Sequence, residues 1–491
     1  MNKIVKITVL FLFAGFMVAP IRFSRAQDMP ALPTGQAGTY PKLANCYLEY
    51  FNESDYEILK KWDLLIFLTE SVFYNKDFFE EYKKEKKDGI ILSYAYPAMI
   101  TAYNLNEFIG LHNYLYYTVD NNNWWLRGGD GEKLEIWPNI YATNITNSDW
   151  RNFNIDYIKN KINLDLWDGI MYDTVDAYVG HYNKNGSGID IDGDGIRDEE
   201  WFVNKKWQEG LSALLKETRK KIGDKKIIFT NGNSINSYQP NINGRMFETF
   251  PTPWEGNGSW QATMEQYLEK LPQKNIKPQI YVLNSNTKNT GKMENFKEMR
   301  FGLASTLLGD GYFSFDHGDR YHAQTWWYDE YDVNLGKAAA KAYNLLDKTN
   351  GKIVAGLWRR DFEQGIAVVN STDKTQKYVF SKEEFEKING SQDRRVNDGS
   401  RINWILLPPN DGIVLLKRNT EILNNGFANG SFTRVFNWKG EQTSNGFFAY
   451  KDNFDGSAQI LTADLDNDGE KETIVNGSGI ISIYKQGAKK Y

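Results

Sequence analysis

Eight short apolar runs, each suited to a buried strand, alternate with helix-compatible stretches between residues 43 and 315. The runs are 43–50, 64–68, 89–96, 169–174, 226–230, 245–250, 279–283 and 312–315. Strands that alternate with helices build a parallel sheet, because each helix carries the chain back to the same edge. Eight such units over roughly 280 residues fit the typical size of a (β/α)8 barrel. A doubly wound open sheet competes, but the Gly-x-Gly-x-x-Gly turn that would support it does not follow the first run. The expected class is α/β, with a (β/α)8 TIM barrel over residues 41–350. Its helices are expected near 73–87, 149–161 (capped by Ser148 or Asp149), 204–221, 260–271, 293–308 and 336–348.

A parallel barrel collects its strand ends at one mouth, which is where its chemistry sits. The segment Trp167-Asp168-Gly169-Ile170-Met171-Tyr172-Asp173-Thr174-Val175-Asp176 passes from an apolar strand body into acids at such an end. Asp173 is read either as a catalytic carboxylate or as part of an acidic helix cap. The carboxylates at expected strand ends are Glu49, Glu70, Asp173, Asp176, Glu248 and Asp316. Cleaving a glycosidic bond takes two carboxyls, one protonated and one ionised. Asp173 and Glu248 are the chosen pair, with Asp316 in reserve. Phe247, Phe250 and Trp254 flank Glu248 and would favour its protonated form, giving it the acid role. The competing reading pairs Glu248 with Arg245. Residues expected to contact substrate are Glu70, Tyr94, Trp137, Asp176, Asn231, Trp254 and Asp316.

Aromatic residues make up 15% of the chain, including 15 Trp and 29 Tyr. They serve either a large core or the stacking of sugar rings, with Trp124, Trp125, Trp137, Trp254, Trp326 and Trp327 as stacking candidates. A net charge of −5 argues against nucleic-acid binding, which wants a basic surface. No Gly-x-Ser-x-Gly elbow and no His-Glu-x-x-His pair occurs, which disfavours serine hydrolase and zinc protease chemistry. The single cysteine, Cys46, lies in an apolar run and reads as a buried thiol.

Residues 97–149 form a long insertion, expected to be a functional loop. Two acidic segments have calcium-ligand spacing. In the first, Asp190, Asp192, Asp194 and Asp198 alternate around Gly193 and Gly195, and Trp201 stands where an EF-hand has Glu, so Glu199 or Glu200 would close the shell. In the second, Asp464, Asp466, Asp468 and Glu472 repeat the pattern between strand-like runs. Structural Ca²⁺ is expected at both, against the alternative of acidic turns.

Residues 1–26 read as a secretory signal: Lys3 and Lys6, a short apolar run to Pro20, then Ser24-Arg25-Ala26 before Gln27. An uncleaved anchor is the alternative, though the run is short for a membrane span. No later stretch approaches the ~18 apolar residues of a span, so the mature protein is expected to be secreted or at the cell surface. Residues 27–40 read as a linker, 351–418 as an antiparallel β-sandwich, 419–432 as a second linker and 433–491 as a small β unit.

The residues at 167–173, Phe247-Glu248, and Leu-Leu-Pro-Pro-Asn-Asp-Gly-Ile-Val-Leu-Leu at 406–416 carry a family likeness. From Leu43 to about Leu416 the chain resembles the bacterial glycoside hydrolases called hypothetical glycosyl hydrolase group 15, and more distantly the endo-α-1,4-polygalactosaminidase type. The resemblance implies a barrel with a C-terminal sandwich. It also implies catalysis by the Asp ending the fourth strand and by a later strand-end Glu, here Asp173 and Glu248. Residues 433–491 resemble one FG-GAP or VCBS repeat, on Arg434-Val435-Phe436-Asn437, Phe447-Phe448-Ala449-Tyr450 and the second acidic loop. The expected function is a secreted hydrolase of a polysaccharide or oligosaccharide. The alternative is a non-catalytic glycan-binding or adhesive surface protein on a degenerate barrel.

Overall fold

The computed structural model of the protein describes residues 39–48, 51–102, 111–162, 164–183, 186–346 and 351–417, with short strands beyond 417. The expected signal, Glu49, and Asp464, Asp466 and Asp468 lie outside the described residues. The eight expected strands all form: β1 Ala44–Leu48, β2 Leu64–Leu68, β3 Ile90–Ala95, β4 Gly169–Val175, β5 Ile227–Gly232, β6 Gly244–Phe247, β7 Ile280–Asn286 and β8 Tyr312–Asp316. They pair in parallel in chain order. A parallel bridge between Leu43 and Phe313 brings β8 against β1 and closes the sheet into a (β/α)8 barrel. At Gly169 a Cβ would sit 2.1 Å from the Ile227 carbonyl oxygen, so only glycine lets β4 approach β5 this closely.

Side chains on a strand alternate between the two faces of the sheet. Inside the barrel lie Ala44, Cys46, Leu64, Ile66, Ile90, Leu92, Met171, Ile227, Phe229, Met246, Ile280, Val282 and Tyr312, packed as one cluster. The intervening residues, such as Leu65, Phe67, Ile91, Ile170 and Tyr172, face outward to the helix layer. Each such aliphatic side chain contributes roughly 1.5–3 kcal/mol on burial. Below the barrel, Lys83 Nζ binds both Asp168 oxygens at 2.9 and 2.8 Å, and Asp168 accepts from Ile91 N at 2.8 Å. That contact locks the first long helix, Lys76–Glu85, to the start of β4.

Several expected elements are corrected. Of the expected helix 336–348, the described part, 336–346, is not helical: Leu335 N bonds Tyr40 O, Ala339 N bonds Asp361 O, and Tyr343–Asn344 pairs as a strand with Leu357–Asp361. Backbone partners across the barrel's base outweigh the local alanine-rich helix propensity. The sandwich therefore begins before residue 351. The helix after the insertion, Ser148–Lys161, is capped by Asn147, whose side chain accepts from Asp149 N and Trp150 N. The next helix starts a turn early, at Glu200, and runs to Ile222. The expected helix 260–271 is α only over Trp260–Glu265 and continues as a π-turn. The insertion is structured: it holds a helix, Leu111–Asn121, and a three-stranded sheet of Met99–Thr101, Ile140–Ala142 and Glu135–Trp137.

The sandwich faces a six-stranded sheet with the two-stranded Gln376–Val379 and Trp404–Leu407 sheet. Leu357, Ile366, Val368, Phe385, Ile405 and Leu415 fill its core. Arg300, on helix Phe296–Leu307, joins it to the barrel through Asp411 (two contacts at 3.1 Å) and Asp393 (2.7 Å). Beyond 417, strands Ala428–Asn429 and Phe432–Thr433 occupy part of the expected linker, and Gln459–Ala463, Glu472–Gly477, Ile480–Lys485 and Ala488–Lys489 form an antiparallel sheet.

Candidate active site

Continuing the inward alternation by two residues from Leu92, Met171, Phe229, Met246, Val282 and Ser314 reaches Tyr94, Asp173, Asn231, Glu248, Asn284 and Asp316. One polar layer thus caps the apolar interior, and it contains both members of the expected pair. Asp173 Oδ2 accepts from Tyr94 Oη at 2.7 Å, and its Oδ1 accepts from Thr174 N at 2.8 Å and Asn231 Nδ2 at 3.1 Å. Asn231 Nδ2 also donates to Glu248 Oε2 at 2.8 Å. The two carboxylate oxygens on this one nitrogen are therefore no more than about 6 Å apart, against ~5–5.5 Å for the carboxyls of a retaining glycosidase.

The backbone is bent where these groups emerge. Tyr47, Thr174 and Thr249 have φ of 57°, 59° and 54°, a region that bulky and β-branched residues rarely enter. The β4–β5 register also slips between Thr230 and Gly232. Thr174 and Thr249 each directly follow one member of the pair, so the distortion sits where the pair leaves the sheet.

Burial drives the electrostatics. Desolvation, then the neighbouring Asp173 charge, pushes Glu248 up to about 7. Burial also raises Asp173, against the opposing donors Tyr94, Thr174 and Asn231, and raises Asp176. The expected cause at Glu248 is corrected. Phe247 faces the outer layer, against Tyr267, and Phe250 packs on Phe301. The barrel interior, rather than these chain neighbours, buries the carboxyl. Arg245 is not its partner either, since it pairs with Glu255 at 2.5 Å.

The other expected residues divide by position. Tyr94 and Asn231 hold the pair, and Asn231 is only 6% exposed, which places it behind the carboxylates. Asp316, 3% exposed, is buried beneath His322, whose Nδ1 it faces at 2.8 Å. Asp176 takes a hydrogen bond from Tyr182, whose ring meets the half-exposed Trp137 at 5.7 Å. Trp254 is 39% exposed and anchors its Nε1 on Gly232 O at 2.9 Å, one residue beyond Asn231. Glu70 lines a small cavity with Tyr94, Tyr96, Trp150 and Tyr157, so Tyr94 stands between that cavity and Asp173. Trp124, Trp125, Trp326 and Trp327 pack in or against the core. Two site residues had no signal in the sequence. His322 reaches the layer from the loop after β8, and Tyr47 Oη accepts from Asn231 Nδ2 at 3.1 Å. Asn231 Oδ1 and Asp316 Oδ1 are buried without a protein partner, leaving hydrogen-bonding capacity in the layer.

Of the first acidic loop, Asp190, Asp192 and Asp194 bring carboxylate oxygens within 4.8 Å of one another, a donor set of hard oxygens that fits a calcium ion. Asp190 accepts from Gly193 N, Asp194 N and Gly195 N, which shapes the turn. Among the described residues Asp198 is not part of that group. Its Oδ2 accepts from Ile191 N at 2.8 Å and closes the loop. Glu472, in the second loop, makes the same closing contact with Leu465 N, also at 2.8 Å.

No curated protein matches the chain. Among solved structures, the glycoside hydrolase domain of PelA from Pseudomonas aeruginosa is 12% identical, with 57% of this chain and 95% of that one covered and a TM-score of 0.37. A noncanonic maltogenic α-amylase, AmyB from Thermotoga neapolitana, is 11% identical over 77% of this chain and 98% of its own, with a TM-score of 0.42. A GH31 family sulfoquinovosidase from E. rectale is 12% identical over 79% and 64%, with a TM-score of 0.45. The sequence model of hypothetical glycosyl hydrolase family 15 matches residues 83–366, more than half of the chain, and the chain belongs to that family.

Proposed function

We propose that this glycoside hydrolase cleaves a polysaccharide or oligosaccharide by a retaining, paired-carboxylate mechanism, with Asp173 as nucleophile and Glu248 as acid and base. The observation that carries this is the single amide nitrogen of Asn231 shared by both carboxylates. A ceiling of about 6 Å between those two oxygens lies nearer the ~5–5.5 Å carboxyl separation of retaining enzymes than the ~6.5–9.5 Å of inverting ones, which supports the retaining reading. In the first step Glu248 gives its proton to the glycosidic oxygen, the C–O bond breaks, and Asp173 bonds the anomeric carbon. In the second, water gives a proton to the Glu248 carboxylate and its oxygen displaces Asp173. Tyr94, Thr174 N and Asn231 stabilise the ionised Asp173. Trp254 and the Trp137–Tyr182 pair would flank the sugar chain, and Asp176 would bind its hydroxyls.

The likeness to the endo-α-1,4-polygalactosaminidase type makes polymers of amino sugars the first substrates to try. The protein is read as secreted after cleavage before Gln27, with calcium bound structurally by the two acidic loops and an FG-GAP-like unit at 433–491. The test is a panel of polysaccharides, run with the wild type, Asp173→Asn and Glu248→Gln. Loss of turnover in both variants supports the pair, and near-wild-type turnover in either removes that residue's role. Binding without cleavage by the wild type across the panel would favour a glycan-binding protein.

A further inference from the structure

We propose that Asp316, His322 and Glu248 form a chain of fixed geometry, in which His322, oriented by Asp316, acts through Glu248 as a positioning residue for the proton that Glu248 gives and takes. The inference rests on the reading of Glu248 as acid and base.

Asp316 ends β8 and is held by Asn284 Nδ2 at 2.9 Å. A carboxylate only accepts, so the His322 nitrogen 2.8 Å away carries the proton and donates to it. That turns Nε2 toward Glu248 Oε1, 3.9 Å off. The gap is too long for a direct hydrogen bond. What passes across it is charge. Tyr47 covers the imidazole, ring centroids 4.6 Å apart, and limits its swing. The loop carrying His322 is pinned at Gln324, whose carbonyl accepts from Asn45 Nδ2 and whose side chain accepts from His317 N. The His322 and Glu248 side chains keep 23% and 19% of their surface, so both border the open side of the layer, whereas the Asp316 side chain keeps 4%.

The charged and titratable groups around His322 are Glu248 from β6, Asp316 from β8 and Asp173 from β4, with the phenols of Tyr47 and Tyr94 from β1 and β3. Burial works to lower the imidazole, but the Asp316 hydrogen bond and the carboxylates raise it on balance. A cation there costs least when Glu248 is ionised, which is its state between the two steps. His322 keeps its proton throughout and forms no bond to the sugar.

The test needs no substrate. In the full-length protein the ring signals of the four histidines are titrated by NMR, with His322→Gln to assign them. In Glu248→Gln the His322 midpoint should fall by about one pH unit or more, while His181 and His317 stay in place. An unmoved midpoint in folded Glu248→Gln overturns the proposal. Independently, on any glycan the wild type cleaves, His322→Gln should move the basic limb of the kcat profile upward, because Glu248 then keeps its proton to higher pH. A loss of rate with the limb unmoved would mean that His322 is only structural. Retention of turnover in Glu248→Gln would instead overturn the acid assignment, whatever the midpoint does.

Discussion

Asp173 lies near the end of β4 and Asp190 in the connection that follows that strand, yet they are held in opposite ways. Asp190 takes hydrogen bonds from Gly193 N, Asp194 N and Gly195 N, all within five residues, and its companions Asp192 and Asp194 are exposed. Asp173 takes one local backbone bond and two side-chain bonds, from Tyr94 on β3 and Asn231 on β5, and faces Glu248 across the same amide. One cluster is built by its own loop and faces solvent. The other is assembled from different strands inside the barrel. Local backbone donors and exposed acids suit a cation, whereas desolvated acids held by distant side chains suit proton transfer.

The largest effect should separate the two clusters outright. Asp173→Asn and Glu248→Gln should each lower kcat/KM by roughly 10³–10⁵-fold, with the fold retained. Asp192→Asn should leave kcat within about twofold of wild type, since its side chain is in the exposed cluster. Equal losses in kcat/KM from Asp173→Asn and Asp192→Asn would erase the distinction.

Stability should respond in the reverse order. Calcium at a hundredfold over its dissociation constant should stabilise the protein by about 2.7 kcal/mol, read as a melting temperature that chelator lowers. Asp190→Ala should shrink that response, leaving what the second loop supplies. A melting temperature indifferent to chelator would leave both loops as plain acidic turns.

The buried cluster should show itself in pH. Glu248 titrates at about 7 in the fold against an ordinary 4.5, so the folded state binds the extra proton between those values. The associated stability is full below pH 4.5 and is lost as pH rises through about 7. Glu248→Gln cannot ionise, so at pH 8 it should be more stable than wild type by on the order of 2–3 kcal/mol, the gap closing toward pH 4. Denaturant titrations at the two pH values check this, and a gap of equal size at both would contradict it.

The smallest effect is expected at the rim. Trp254→Ala and Trp137→Ala should raise KM by roughly 3–10-fold with kcat largely kept, as loss of a stacking face does. A fall in kcat with KM unchanged would make Trp254 a support for the Asn231–Gly232 turn instead of a sugar platform.

All eight strands were legible in the sequence because each is a run of apolar residues bounded by turn signals, and a barrel strand buried on both faces must be such a run. The turn of the first acidic loop was legible for a related reason: its acids, its glycines and most of its internal hydrogen bonds lie within nine residues, Asp190 to Asp198. Asp173 and Glu248 were found as strand-end acids. The upward shift of Glu248 comes from the barrel interior and not from its chain neighbour Phe247, which points to the opposite face of the sheet. The segment 336–346 reads as a helix because its helix propensity is local, while Tyr40, Asp361 and Arg359, which hold it in extended form, are not.

Strand order, the closed barrel and the first acidic turn were thus fixed by periodicity and spacing along the chain. The rest of the site was decided by closure of the sheet. Tyr47, Asn231, His322 and Asp316 come from β1, β5, the loop after β8 and β8 itself, and no spacing in the sequence links them. Closing the barrel sets their last inward side chains in one desolvated layer, where a few ångströms between Asp173, Glu248 and His322 determine which group holds the proton.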